Sequence, residues 1–571
     1  MSLRDYNLRD FAGGIMSGTR LAVVVGLSLA ILGVVAHLRA QSPPATPSVS
    51  QVAYLKASNP QAGAHFGCGG ALDGHAGIGV AISEDGNTIA VGAPHESSNA
   101  KGINGNQNDS SLYDSGAAYV FIRNGSAWEQ QAYIKASNPD TATEFGHVVA
   151  LSADGNTLAV AAIWEASGAR GINGNQNDRS VPQAGAVYVF TRQNNRWTQQ
   201  SYIKASNAGE GPAPGEAYGD GDQFGFAMSL SKDGNTLAVG AVTEDSNAKE
   251  INGNQNDNSM MSSGAVYLFG RTGTTWSQQA YVKPSNTAAG TQFGYSLSLS
   301  ANGSVLAAGS YDEGGGSKVV DGPQEPSRTP NPNARGGFAT SNGTGAVYMF
   351  ARTAGEWKQT NYLKASNAEN GDSFGVSVAL SDEANTILIG SLDEDCLCTG
   401  VIQGPTDVGG NDQPSDASSG AAYVFVRSGS TWTQQAYIKP STIHRGDWFG
   451  NRLALSGDGN VALIGAPLED NDAQGINGNE RGGTADEAGA AWLFARSGGM
   501  WTQRAYVKGA NTSRRDEFGS ALALSRDGRT LVVAARLEAG GAKGVNGNSS
   551  NRSVDGAGAV YVFAFSGAAS F

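Results

Sequence analysis

Seven glutamates recur with one spacing: Glu96, Glu165, Glu244, Glu313, Glu394, Glu469 and Glu538. Each stands four residues after a Gly or Ala near the end of an apolar run. Downstream of the first three comes one heptamer, INGNQND, starting at Ile103, Ile172 and Ile251. It carries Asn at alternate positions and ends in Asp, so it offers the oxygen donors that calcium accepts. The candidate cation site is Glu96, Asn104, Asn106 and Asp109, with equivalents in the next two copies. So few charges imply a weak site. The competing role is structural, because a carboxylate or Asn can cap the unpaired N–H groups of a long loop. A second acidic position, two before a recurrent Phe, holds Asp222, Asp372, Asp447 and Asp516. A third cluster surrounds the insertion CGGALDGHAGIG: His65, Cys68, Asp73, His75 and His95. These are metal-ligating types, but their spacing matches no tight motif.

Other chemistries find no residues. No nucleophile elbow, Ser/His/Asp pattern, phosphate loop or zinc signature is present. Net charge is −13, which argues against nucleic acid, since phosphate backbones need Lys/Arg patches. Three cysteines cannot build a disulfide framework. Cys396 and Cys398 are one residue apart, too close to pair easily, so any bridge is expected to involve Cys68.

The elements that must position these groups form a repeat. Phe-Gly occurs at Phe66, Phe145, Phe224, Phe293, Phe374, Phe449 and Phe518, spaced from 69 (Phe224 to Phe293) to 81 residues (Phe293 to Phe374). Each unit continues with LSxDGNT or a variant, an apolar run such as TLAVGA, and a long polar loop. GAVYVF, a short turn and WTQQAYIKASN follow. The four segments are rich in Val, Ile, Tyr, Phe and Ala and are separated by turn signals, with no sustained helical period. Asp-Gly is a hairpin signal. Four antiparallel strands per unit, repeated radially, make a β-propeller blade. The seventh unit ends after GAVYVF without its last strand, while QVAYLKASN, Gln51 to Asn59, precedes the first Phe-Gly. A circle resolves this: all-β, seven blades, with the N-terminal segment completing the last blade and removing the open edges.

The units resemble the FG-GAP repeats of the integrin alpha-chain N-terminal β-propeller. The resemblance covers nearly all of residues 48–571. It rests on FG opening the unit, VGAP (Val91 to Pro94) or IGAP (Ile464 to Pro467) closing the second strand, and GAVYVF as the third. It implies an extracellular binding or adhesion role and a ligand face on the long-loop side. The family's calcium loop of the DxDxDG kind is not matched: here the first turn is SADGN or similar, and SDEAN in the fifth unit. Arg445-Gly446-Asp447 spells an integrin-recognition tripeptide, but Asp447 occupies the recurrent acidic position and the match reads as coincidence.

In a four-stranded meander, alternate connections fall on opposite faces. The first-to-second and third-to-fourth turns are tight; the second-to-third loops, which carry the heptamer, are long. Binding residues sit on elaborated loops over a rigid scaffold. The expectation is a non-enzymatic propeller recognising an extracellular protein or polysaccharide on that face, with the seven Glu as ligand-face candidates. Calcium is the one candidate ion. The alternative is a polysaccharide lyase or hydrolase with its site at the central funnel or the His cluster of blade 1. The recurrent Trp128, Trp197, Trp276, Trp357, Trp432 and Trp501 are expected to pack between blades.

Leu21 to Leu38 is apolar, uncharged and preceded by Arg20. It is short for a membrane span and reads as a signal h-region. Residues 1–41 are therefore expected to be a signal region, with Met16 the better start, and 42–47 a linker. Export to the periplasm, surface or medium follows, with a membrane contact only if this segment stays uncleaved.

Overall fold

The computed structural model describes residues 48–68, 78–208, 221–324, 343–405, 417–483 and 485–566. The expected signal region and linker, with Asp73 and His75, lie outside the described residues. Seven antiparallel sheets form the blades. In the first, Val80–Ile82 (β2), Thr88–Ala93 (β3), Ala117–Asn124 (β4) and Ala127–Ile134 (β5) lie in that order. Among the described residues there is no helix.

The last blade orders Phe518–Leu524 (β27), Thr530–Ala535 (β28), Ala559–Ser566 (β29) and then Ser48–Leu55 (β1). The N-terminal strand therefore supplies the missing fourth position. Tyr54 meets Tyr561 with ring centroids 5.3 Å apart. Blade 5 differs from the repeat. A short strand in its long loop, Val401–Gln403 (β20), adds a fifth member outside Thr431–Ile438 (β22). Its Gln403 side chain then donates to the backbone oxygen of Trp501 in blade 6 at 3.0 Å.

Seven core clusters are each shared by two neighbouring blades, and an eighth joins blades 3, 4 and 5 through Phe226, Tyr295 and Val376. One joins Ala90, Val120 and Ile134 of blade 1 to Phe145, Val160, Tyr188 and Phe190 of blade 2. The recurrent Phe is its centre, edge-on to Tyr188 at 5.3 Å and Phe190 at 6.2 Å. The glycines around it follow from close backbone contact. Gly116 has φ +76° and bridges Phe145 of the next blade, where a Cβ would lie 2.1 Å from the Phe145 oxygen. Gly146 has φ +100° and would place a Cβ 2.2 Å from the oxygen of Ala117. Both needs, positive φ and no side chain, select Gly.

The recurrent Trp residues pack between blades. Trp197 is 5% exposed, and its Nε1–H donates to Gln131 Oε1 of blade 1 at 2.9 Å. Arg192 lies over its ring at 5.3 Å and donates to the same Gln131 oxygen at 3.0 Å. The first turn holds its own carboxylate. Asp85 accepts the Ser83 hydroxyl at 2.6 Å and the Asn87 N–H at 3.0 Å, while Gly86 takes φ +69°. This hydrogen bonding holds the Asp85 carboxyl below the usual range despite its partial burial.

The long-loop face and the channel mouth

Where the second strand gives way to the long loop, each recurrent Glu meets a Lys from the outer strand of its blade. In blade 2, Lys204 Nζ lies 2.8 Å from Glu165 Oε2, with side-chain exposures of 0% and 2%. The pairs Lys135–Glu96, Lys283–Glu244, Lys364–Glu313, Lys439–Glu394 and Lys508–Glu469 span 2.5 to 3.0 Å. Lys56 of the N-terminal strand completes the set with Glu538 at 2.7 Å. Burial lowers every one of these lysines, and the facing Glu opposes that shift. The seven carboxylates thus point inward, at paired cations.

Further donors complete each carboxylate. Glu165 accepts the backbone N–H of Ser167 at 3.1 Å and the Asn138 amide, from the preceding blade's KASN segment, also at 3.1 Å. Asn138 in turn accepts the Tyr188 hydroxyl at 2.5 Å. Blade 6 replaces both members, with Thr442 for the Asn and Trp492 for the Tyr. There Lys508 donates to the Asn471 oxygen at 2.5 Å, and Tyr506 donates to Glu469 at 3.0 Å.

The heptamer runs along the edge of the outer strand and reaches the previous blade. Asn104, at φ +55°, accepts the Tyr133 N–H on its Oδ1 at 2.9 Å and donates its own N–H to the Tyr133 oxygen at 2.7 Å. The Gln107 oxygen accepts the Asn59 amide at 3.1 Å, and its side chain meets Ser58. Asn106 accepts the Asn108 N–H at 3.1 Å, and Asp109 accepts the Ser111 N–H at 2.8 Å. Glu96, Asn104, Asn106 and Asp109 are therefore each engaged separately. Among the described residues, no three His, Cys, Asp or Glu side chains are gathered so as to hold a metal ion.

The blade 1 cluster is half-buried and internally paired. His65 stands edge-on to His95 with centroids 4.8 Å apart, and His95 Nδ1 lies 3.1 Å from Asp114 Oδ2. Burial, reinforced by His95, depresses His65 to about 3. His95 is raised: burial opposes its charged form, but the Asp114 hydrogen bond and the charges of Glu144 and Asp114 outweigh it. Burial pushes the Cys68 thiol up. The cysteine expectation is corrected. Cys396 bonds to Cys398 and Cys68 is free, because the blade 5 loop bends locally and brings the two α-carbons to 5.2 Å. Asp447 of the RGD sequence is 1% exposed, which keeps the tripeptide from being an accessible ligand.

Repeat reading missed two features. One is the Lys of KAS, whose recurrence in step with the Glu was visible in the sequence. The other is which side chains line the central channel. The residue after Phe-Gly differs in every blade, whereas Glu and Gln each occur twice before the Phe. Those before Phe (His65, Glu144, Gln223, Gln292, Ser373, Trp448 and Glu517) all take φ between +50° and +59°. Shared by all seven blades, this left-handed conformation belongs to the repeat's turn into the first strand. Of those after Phe-Gly, Phe226, Tyr295 and Val376 line a small recess with Ser296, Ser377 and Arg452.

These features are those of a propeller with a rigid, self-paired frame and one elaborated face. Residues 357–425 and 432–494 match the FG-GAP repeat family. Two such repeats in a seven-bladed ring are consistent with an FG-GAP propeller, a fold of the binding or adhesion type. The search of curated proteins returned no match. Among solved structures, the chain is similar to the crystal structure of the Myceliophteria thermophila Cps50 (Swd1) β-propeller domain. The identity is 9%, the TM-score 0.40, and 84% of this chain and 95% of that one are covered.

Proposed function

We propose that the chain is an exported, non-enzymatic binding propeller that recognises an extracellular protein or glycan through its long-loop face. Residues 1–41 act as the signal region and 42–47 as a linker before the propeller of 48–571. The observation that supports the reading is where large apolar side chains are exposed. Tyr113 (67%), Trp164 (38%), Met261 (52%), Val319 (59%) and Leu397 (42%) stand one per blade on the long loops of blades 1 to 5. The tight-turn face carries Met500. Apolar groups rimmed by polar loops mark interaction surfaces. Below them the Glu–Lys pairs hold the loop roots, so the seven Glu act on the ligand face by positioning loops.

The test is binding of the exported chain to glycan and extracellular-matrix protein arrays, with and without calcium. The variants are Tyr113→Ser with Trp164→Ser, and Met500→Ser as control. Loss of capture in the loop variant alone supports the reading; equal capture by both, or none by the parent chain, rejects it. The second reading, a polysaccharide lyase or hydrolase, draws on the hydrogen-bonded Glu144–His147 pair beside the channel, and its test is saccharide cleavage.

A further inference from the structure

The long loop of blade 5 carries a covalent bond, between Cys396 and Cys398. Counted from the recurrent Glu, Cys396 takes the place of Ser98, Ser167 and Ser246, and Cys398 that of Ala100, Ala169 and Ala248. The backbone around these positions keeps one course. The Cys396 oxygen accepts the Ser419 hydroxyl at 2.9 Å, as the Ser98 oxygen accepts that of Ser115 at 3.0 Å. Lys439 donates its N–H to the Gly400 oxygen at 3.0 Å, as Lys135 does to Gly102 at 2.8 Å. Between these points the Cys398 N–H donates to Cys396 Sγ at 3.1 Å. In blade 2 the Ala169 N–H donates to Ser167 Oγ at 3.0 Å in the same place. Other blades therefore make this bend with a hydrogen bond and no disulfide.

The bond adds little to the fold. A disulfide stabilises mainly by limiting the unfolded chain, and the gain is least when the joined residues are close in sequence. It does add chemistry. Cys396 is 3% exposed, but Cys398 is partly exposed, between Leu397 at 42% and the exposed Thr399. Exposed disulfides are the labile ones, open to thiol exchange. A thiolate from solution meets Cys398 Sγ, and Cys396 is then the leaving sulfur. Its Sγ already accepts the Cys398 N–H, and a hydrogen bond to the charged form favours a thiolate.

We propose that Cys396–Cys398 is a redox site that exchanges with an external dithiol through Cys398. One thiolate of the dithiol attacks Cys398 Sγ. The bond between the two cysteines breaks, and Cys396 leaves with the electron pair and takes a proton from water. The second thiolate of the dithiol attacks its own partner sulfur in the mixed disulfide and releases Cys398, which is protonated in turn. The dithiol loses two electrons and two protons and becomes a disulfide, and the chain gains two thiols.

The exported, folded chain is equilibrated without oxygen in mixtures of reduced and oxidised dithiothreitol. It is then quenched in acid and alkylated in denaturant for mass spectrometry. Cys68, a free thiol throughout, is the internal standard. Half-reduction of the pair is expected at a reduced-to-oxidised ratio below about 1:10, with the fold retained, because structural disulfides resist reduction. Half-reduction above that ratio, or reduction only with loss of the circular dichroism of the native chain, makes the bond structural and overturns the proposal. Alkylation of Cys396 and Cys398 before any reductant is added also overturns it. Cys396→Ser with Cys398→Ala should abolish the exchange and melt within about 2 °C of the parent. The entry point is tested with oxidised glutathione on the single variants. Cys398 in Cys396→Ser should form the mixed disulfide about tenfold faster than Cys396 in Cys398→Ala, since access sets the rate. An equal or faster reaction at Cys396 rejects entry through Cys398.

Discussion

Lys56 Nζ lies 2.7 Å from Glu538 Oε2, although the two are 482 positions apart in the sequence, and neither side chain is exposed. The same ammonium donates to the Gly558 oxygen at 2.6 Å. The ring is thus closed by strand pairing and by a buried ion pair that joins the two ends of the propeller.

Lys56→Met should lower stability by about 3–5 kcal/mol, because it leaves Glu538 buried without its cation. Lys56→Met with Glu538→Leu should recover part of the loss, since no lone charge remains. Urea denaturation of the three proteins measures this. Removing residues 48–59 should expose the edge of the last blade and reduce both stability and solubility.

Glu165→Gln should be destabilising by a similar amount, about 3–5 kcal/mol, because Lys204 is then the uncompensated charge. The melting temperature should stay the same on adding millimolar calcium, since Glu96, Glu165 and Glu244 already face lysines. A calcium-dependent rise that disappears when all three become Gln would reverse the structural reading of the heptamer loops.

Asp447 gives a pH dependence of definite sign. Burial, with Glu469 and Asp470 nearby, raises its carboxyl to about 8, against the His444 N–H and Lys508. Between its unfolded value near 4 and about 8, the folded chain holds a proton that the unfolded chain has lost. This contribution to stability is complete below about 4 and falls as pH rises toward 8, by up to about 1.4 kcal/mol per pH unit. Asp447→Asn should therefore be more stable than the parent at pH 8–9, with the difference vanishing near pH 4. Denaturation at several pH values would show whether the two curves converge.

Alkylation of the unfolded, unreduced chain should label one cysteine, in the peptide bearing Cys68. Reduction beforehand should label all three. Mass spectrometry finding Cys68 blocked and Cys396 labelled would contradict the pairing.

Blade number, the four repeated strands of each blade and the N-terminal closure were legible in the sequence by itself; the added strand Val401–Gln403 of blade 5 was not. The repeat's phase carries them: a unit lacking WTQQAYIKAS at one end and the same segment at the other permit one closed arrangement. The tight turns were legible too, because Asp-Gly and the neighbouring Ser and Asn act through bonds two to five residues long, as in Ser83, Asp85 and Thr88. What Glu165 does was not legible. Its partners Lys204 and Asn138 lie 39 and 27 residues away, one of them on another blade, and one-dimensional spacing does not say which recurrent residues face each other. The Cys396–Cys398 bond depended on a bend in one loop. The side chains around the channel were hidden for the opposite reason. His147, Phe226 and Tyr295 sit 79 and 69 residues apart (226 − 147 and 295 − 226) at one position of the repeat where their identities differ. A search for recurrence passes over such a position, and only closure of the ring brings its members together.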